Sequence, residues 1–425
     1  AYPSFKIPMY RLFSTLLLFT FIFGCTPSEE SKTARFSFPP EWEPHQAVWM
    51  SINNVWGDEQ EAAGQISARL KVTQALSKYV PVKVLTNADS MAVLLTDSLL
   101  HYQVDTSQVK IIVHPLPHYF MRDTGPIFIS NGEQLRMANW NWKCLNKWCD
   151  EVNNLRGTID DSLAIRFGYE VQDSPINYEG GAIVVNSHSA LSIQDYVLEQ
   201  NEGNIPLAEI EKEILNLYGK EQMIWLEGIP LLERNGFKTE KYFGQGADGH
   251  VDALVRFAND STLLVTTISE EDKDKSPIQQ HDYEIYQGYL KQLKTKKRQN
   301  GQPFTIVEIP SPDISLHEYK LPAASFWDVI EQYEITDKFT KEDTVKMIPT
   351  MGYANYLVSN GVVLVAQYWE EGLPLSEKQK DEKMVELLSQ YFPNREIVGI
   401  PAKTINWYGG GIHCATQQEP QVAKR

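Results

Sequence analysis

From Phe36 onward, short apolar runs alternate with longer stretches of helical spacing. Val80 to Thr86, Lys110 to His114, Ile127 to Ser130, Ala182 to Asn186, Thr262 to Thr267, Thr305 to Ile309 and Val362 to Ala366 predict strands, several apolar enough to be buried on both faces. Between them, Glu59 to Tyr79, Leu207 to Leu217, His281 to Lys296 and Ser376 to Tyr391 have helical spacing and helix-forming composition. Strands interleaved with helices predict an α/β fold. After residue 36 no Pro/Ser-rich linker interrupts the pattern, so residues 36–425 read as one catalytic-size domain. The lysine-rich stretch from Lys291 to Gly301 reads as a solvated helix end and loop, and no repeat is visible letter by letter.

Residues 1–35 follow a different pattern. Arg11 precedes a mostly apolar run, Leu12 to Gly24, that is too short to span a bilayer but has the length and basic flank of a secretory signal. Ile22-Phe23-Gly24-Cys25 approximates a bacterial lipobox, so export and membrane attachment through a lipidated Cys25 are expected. The competing reading is an ordinary buried helix in a cytoplasmic protein.

A content of 42% apolar and 11% aromatic residues supports a sizeable core, and the net charge of -16 lacks the basic face that a grip on nucleic acid needs. An acidic protein attracts cations instead. The four cysteines do not make a disulfide scaffold; Cys144 and Cys149 could pair in an oxidising compartment, which leaves Cys414 as a candidate reactive thiol. No ligand cluster for a metal or organic cofactor stands out, so none is expected.

Five segments put a polar or reactive residue beside glycines or a strand end: Phe38-Pro-Pro-Glu-Trp-Glu-Pro-His45, Met121-Arg-Asp-Thr-Gly-Pro126, Asn177-Tyr-Glu-Gly-Gly181, Gly249-His-Val-Asp252 and Gly409-Gly-Gly-Ile-His-Cys414. Cys414, after three glycines, reads as a nucleophile in a flexible, accessible turn, against the plain reading of a small buried hydrophobe. In a strand, His250 and Asp252 would share one face, giving a proton carrier beside a cation-holding carboxylate; structural His–carboxylate pairs are equally common. Asp123 also suits a turn, and Glu179 a surface acid.

Taken together and in this order, the segments resemble those of agmatine deiminases and bacterial peptidylarginine deiminases, from Phe38 to Pro420. The resemblance implies a pseudo-fivefold α/β propeller of ββαβ modules, the fold of guanidine-modifying enzymes. It implies that Asp123 and Asp252 clamp a guanidinium, that Cys414 attacks its carbon, that His250 moves protons and that Glu179 orients His250. Arg122, Phe120 and Trp140 are further candidate substrate contacts, although Trp140, Trp142 and Trp148 equally suit core packing. Agmatine is the leading substrate. Tyr119-Phe120, where agmatine deiminases commonly carry tryptophan, and the expected export keep peptide arginine as the alternative. A non-catalytic guanidine binder and an amidinotransferase are further alternatives, and oligomeric state is not legible.

Overall fold

Four times along the chain, a hairpin of two antiparallel strands is followed by helical segments and a third strand that returns parallel to the second. The computed structural model describes residues 35–53, 59–144, 151–239 and 241–423, within a compact unit that begins at Arg35. The predicted N-terminal export segment and Cys25 lie outside the described residues. So do Trp148 and Cys149; Cys144 is disulfide-bonded.

The second module is Ile127–Ser130, Leu135–Asn139 and Glu170–Asp173; the third is Ile183–Val185, Ser189–Ile193 and Gln222–Leu226. The fourth is Val255–Asn259, Thr262–Thr267 and Thr305–Pro310; the fifth is Leu357–Ser359, Val362–Gln367 and Glu396–Pro401. The first module is assembled from distant parts of the chain. His45–Ser51 pairs in parallel with Val82–Thr86, which pairs with Val109–Val113, while the antiparallel partner of His45–Ser51 is Thr416–Pro420, with Trp49 opposite Gln417. First strands of neighbouring modules touch, Thr416–Pro420 against Ile127–Ser130 and Ile183–Val185 against Val255–Asn259. The long helices pack instead on the later strands, as Pro277–Thr295 does on Thr262–Thr267 and Leu375–Tyr391 on Val362–Gln367. This is an α/β propeller with its first strands innermost.

Burial explains the element types. The middle strand Val362–Gln367 (Val-Val-Leu-Val-Ala-Gln) is buried at every position but the last, because a helix covers it on one side and a neighbouring module on the other. Leu207–Leu217 turns Ile210, Ile214 and Leu217 inward at a spacing of four and three, which makes one apolar stripe. Pro277–Thr295 starts earlier than its apolar period predicts, since Ser276 accepts the Gln279 N–H as an N-cap and Pro277 occupies the first turn.

One sheet stands outside the repeat. Gly236–Thr239, Tyr242–Gly244, Thr344–Met347 and Tyr319–Pro322 form a four-stranded accessory sheet over its own core of Phe237, Phe243, Phe326, Tyr333 and Phe339. It joins the segments that lead into the fourth and fifth modules.

Candidate active site

Each innermost strand begins just after a tight turn, and each turn delivers a polar side chain to the middle of the ring. Asp123 comes from Met121–Thr124, Glu179 immediately precedes Gly180–Ala182, and Asp252 lies in Val251–Ala253. Asn355 and Cys414 precede Leu357–Ser359 and Thr416–Pro420 in the same way. The repeat that the letters hide is therefore positional. His250 and Asp252 are not strand residues as expected: Gly249, at φ +124°, and the turn that follows delay the strand to Val255. The turn nonetheless brings both side chains to Cys414, with the polar atoms of the three within 4.8 Å of one another.

Cys414 is 3% exposed, not in an open loop as its glycine-rich approach predicts. Asn355 fixes it: Oδ1 accepts the backbone N–H groups of His413 (2.9 Å) and Cys414 (3.2 Å), which leaves Nδ2 to donate to Sγ at 3.0 Å. The glycines are needed for this closeness. A Cβ on Gly411 would meet Asn355 Oδ1 at 2.5 Å, and one on Gly410 would meet the Phe120 ring at 2.5 Å and Cys414 Cβ at 2.9 Å. Burial, helped by the carboxylates of Asp252 and Asp123, pushes the thiol up to about 12, with His250 pulling the other way.

His250 sits between two acids. Nε2 lies 2.9 Å from Glu179 Oε1 and Nδ1 3.8 Å from Asp123 Oδ1, and neither ring nitrogen completes a well-aligned hydrogen bond. Burial disfavours a charged ring, yet Asp123 and Glu179 outweigh it and hold the pKa well above the ordinary histidine value. Burial pushes Asp123 up to about 8, reinforced by Glu179 and Asp252 and opposed by His250. Burial acts on Glu179 the same way, but His250 and two donors reverse it: Tyr196 donates its hydroxyl to Oε1 and Trp142 its indole N–H to Oε2 at 2.6 Å. Asp123 Oδ1 also accepts the Gly181 N–H at 3.0 Å, and a Cβ on Gly181 would meet His250 Nδ1 at 2.4 Å.

Asp252 is pinned from behind. His413 Nδ1 lies 2.5 Å from Asp252 Oδ2, and His413 Nε2 lies 2.5 Å from Glu41 Oε1. Burial, Arg122 and Arg256 push the His413 pKa down, but an acceptor at each nitrogen requires two donors, and these short contacts favour the protonated ring. Glu41 also pairs with Arg256, which spends its other N–H groups on the carbonyls of Ala354 and Tyr356. Asp252 Oδ1, by contrast, is buried with no partner among the described residues.

The other predicted contacts divide. Phe120 packs beside Gly410 and Cys414. Arg122 is not available to a substrate: it is 1% exposed and turns away, donating to the His413 carbonyl and to Gln418 Oε1. Its neighbour Asp123 takes the face toward the site. Trp140 is 3% exposed, donates to the Tyr218 hydroxyl and packs edge-on against Tyr178 and Tyr218, so it belongs to the core. Sequence reasoning missed Asn355, Tyr196 and the role of Trp142. It flagged the segment holding Glu41 without singling out that residue.

Two sets of donor atoms, His250–Asp252–Cys414 and Asp123–Glu179–His250, lie close enough to surround a small cation. A planar guanidinium matches them best, since its N–H fork pairs with carboxylates while its carbon faces a sulfur. A small cavity beside the first set is lined by His250, Asp252 and Cys414 together with Glu233, Asn355 and Asn406.

Comparison with known proteins gives the family and the fold. The model of the Porphyromonas-type peptidyl-arginine deiminases matches residues 37–420. An agmatine deiminase of Pseudomonas aeruginosa is 23% identical, over 94% of this chain and 99% of its own length. The solved agmatine deiminase of Enterococcus faecalis shares the fold with a TM-score of 0.70 at 21% identity, covering 91% of this chain and 96% of that one. That of C. jejuni gives a TM-score of 0.65 at 19% identity, covering 92% and 97%.

Proposed function

Because the chain belongs to the Porphyromonas-type peptidyl-arginine deiminase family, we propose that it hydrolyses the guanidinium group of agmatine, giving N-carbamoylputrescine and ammonia through a covalent intermediate on Cys414. The observation that carries this reading is the convergence of Cys414, His250 and Asp252 within 4.8 Å, with Asp123 and Glu179 flanking the same imidazole. Relatives named as agmatine deiminases support the choice of substrate.

The thiol is protonated in the resting site, because burial and two acids oppose its ionisation. A guanidinium between Asp123 and Asp252 reverses the sign of the field at Sγ, and the thiol proton is released to solvent. The thiolate then adds to the guanidinium carbon, forming a C–S bond and a tetrahedral adduct. His250, held protonated by Glu179 and Asp123, donates its proton to one NH2; the C–N bond breaks, ammonia leaves and a thiouronium remains. The neutral imidazole next takes a proton from water as its oxygen bonds to the carbon. Collapse breaks the C–S bond while the adduct's hydroxyl proton passes to the departing sulfur, which restores the thiol and releases the ureido product.

Asn355 Nδ2 donates to the sulfur throughout, which favours the thiolate over the thiol. The test is colorimetric detection of ureido product from wild type and from Cys414→Ala. Near-full product formation by the alanine variant overturns the scheme, and binding without turnover by wild type supports a guanidine binder instead.

A second reading, conversion of peptide arginine to citrulline, draws on the family description and on the export segment read from Leu12 to Gly24. Export with lipidation at Cys25 is checked by cell fractionation; a wholly soluble cytoplasmic protein with unmodified Cys25 excludes it.

A further inference from the structure

Glu179, the acid behind His250, is held from two sides of unequal firmness. Its Oε1 faces His250 and the Tyr196 hydroxyl, and Tyr196 is a buried residue of the helix Gln194–Gln200. Its Oε2 accepts the Trp142 indole, and Trp142 stands on a strap, residues 140–144, that follows Leu135–Asn139 and belongs to no helix or strand. Asn141 and Lys143 on the strap face solvent.

The strap runs along the segment that carries Glu179. Asn141 donates its backbone N–H to the Ile176 carbonyl at 3.0 Å, and Asn177 brackets Lys143, its Oδ1 accepting the backbone N–H at 3.0 Å and its Nδ2 donating to the carbonyl at 3.2 Å. Gly157 closes over the indole, so that a Cβ there would meet Trp142 Cε3 at 2.6 Å. The strap ends at Cys144, which is disulfide-bonded. Because Cys414 is a free thiol, the partner is Cys25 or Cys149, both outside the described residues. Irregular, half-exposed chain opens at low cost, and a cross-link two residues from the indole removes many of the open arrangements.

We infer that the disulfide at Cys144 positions Trp142 against Glu179, so that full activity requires Cys144 to be oxidised and a dithiol reductant turns the enzyme down. This rests on the deiminase reading and adds a control to it. The switch is a thiol–disulfide exchange: the dithiol is oxidised to its own disulfide, the S–S bond at Cys144 breaks, and two protein thiols form. Cys144 touches no substrate and acts through Trp142 and Glu179. Once it is reduced, the carboxylate loses a donor that favours its charged, oriented form, and His250 loses part of its support. Activity then follows the compartment, high where thiols are oxidised and lower where they are kept reduced.

Alkylation of the full chain without reductant, followed by peptide mapping, is expected to leave Cys144 unlabelled; a labelled Cys144 overturns the proposal. Cys144→Ser is expected to lower kcat about 3–10-fold and to move KM less than about twofold, because the support lost amounts at most to one hydrogen bond to a charged group and touches no substrate. Dithiothreitol is expected to bring wild type to the level of Cys144→Ser and to leave that variant unchanged; an equal response in both belongs to Cys414 and overturns the proposal. In a Trp142→Phe background Cys144→Ser is expected to add nothing, since both changes act through one contact. A full further loss there makes the disulfide merely structural and overturns the proposal. Should Cys144→Ser fail to fold, wild type and Trp142→Phe measured with and without dithiothreitol carry the same comparison. If wild type forms no ureido product, the deiminase reading fails and the coupling is read from the His250 ring by NMR. A titration displaced downward on reduction leaves the positioning role standing, and an unmoved one overturns it.

Discussion

The two flanks of Cys414 are built on opposite principles. On one side, Asp252, His413, Glu41 and Arg256 form a chain in which nearly every charge has a partner of the other sign. On the other, His250 is caught between Asp123 and Glu179, its ring nitrogens poorly aligned with either, and Asp123 is pushed far from its ordinary range. The first arrangement is complete except at Asp252 Oδ1, and it suits a frame. The second becomes complete when a cation enters, which suits a working surface. Buried polar groups left short of partners thus mark where a ligand belongs, and saturated ones mark what holds the place for it.

The sharpest way to break the comparison is on the unsaturated flank. His250→Ala removes the proton carrier and is expected to lower kcat by about 10²–10⁴-fold with little change in thermal stability. In the wild type, Asp123 pairs with the substrate only when ionised, so kcat/KM is expected to climb with pH, with a midpoint near 8. A profile flat from pH 6 to 9 removes Asp123 from the clamp.

The saturated flank is expected to answer differently. Glu41→Gln leaves Arg256 without its counter-charge and His413 with Asp252 alone, and breaking one partner of a buried pair costs about 3–5 kcal/mol. Thermal unfolding measures that loss, which is expected to exceed any change in KM. A variant as stable as wild type would make the two flanks alike.

The smallest effect concerns the support of Glu179. Trp142→Phe deletes one donor while Tyr196 and His250 remain, so a fall in kcat of about tenfold is expected, one hydrogen bond to a charged group being worth roughly 1.5–3 kcal/mol at most.

Much of the working flank was legible in the sequence because chemistry concentrates in glycine-flanked turns. Asp123, Glu179, His250, Asp252 and Cys414 each sit in such a turn, and a short segment is enough to mark them. The frame was harder. Asn355, within Tyr353-Ala-Asn-Tyr356, has no glycine beside it and reads as part of an apolar approach to a strand. Its importance comes from standing at the same place in its module as Cys414 does in another, a relation of position that no comparison of letters reveals.

Glu233 is separated from His250 by part of the accessory sheet, so sequence distance conceals that they face one cavity. Trp140 and Trp142 illustrate a limit of composition: two tryptophans two residues apart have opposite fates, one locked against Tyr218 and the other bonded to Glu179. Strands such as Gln222–Leu226 and Glu396–Pro401 escaped because mixed polar and apolar letters are tolerated where a helix covers only part of the strand.

The pairing of Thr416–Pro420 with His45–Ser51 sets an order of events during synthesis. The strands of the other four modules are all made before residues 416–420, and until then the first module is unpaired along one margin. Cys414 lies two residues ahead of that closing strand, so a chain cut short before it keeps the proposed clamp of Asp123 and Asp252 without the proposed nucleophile.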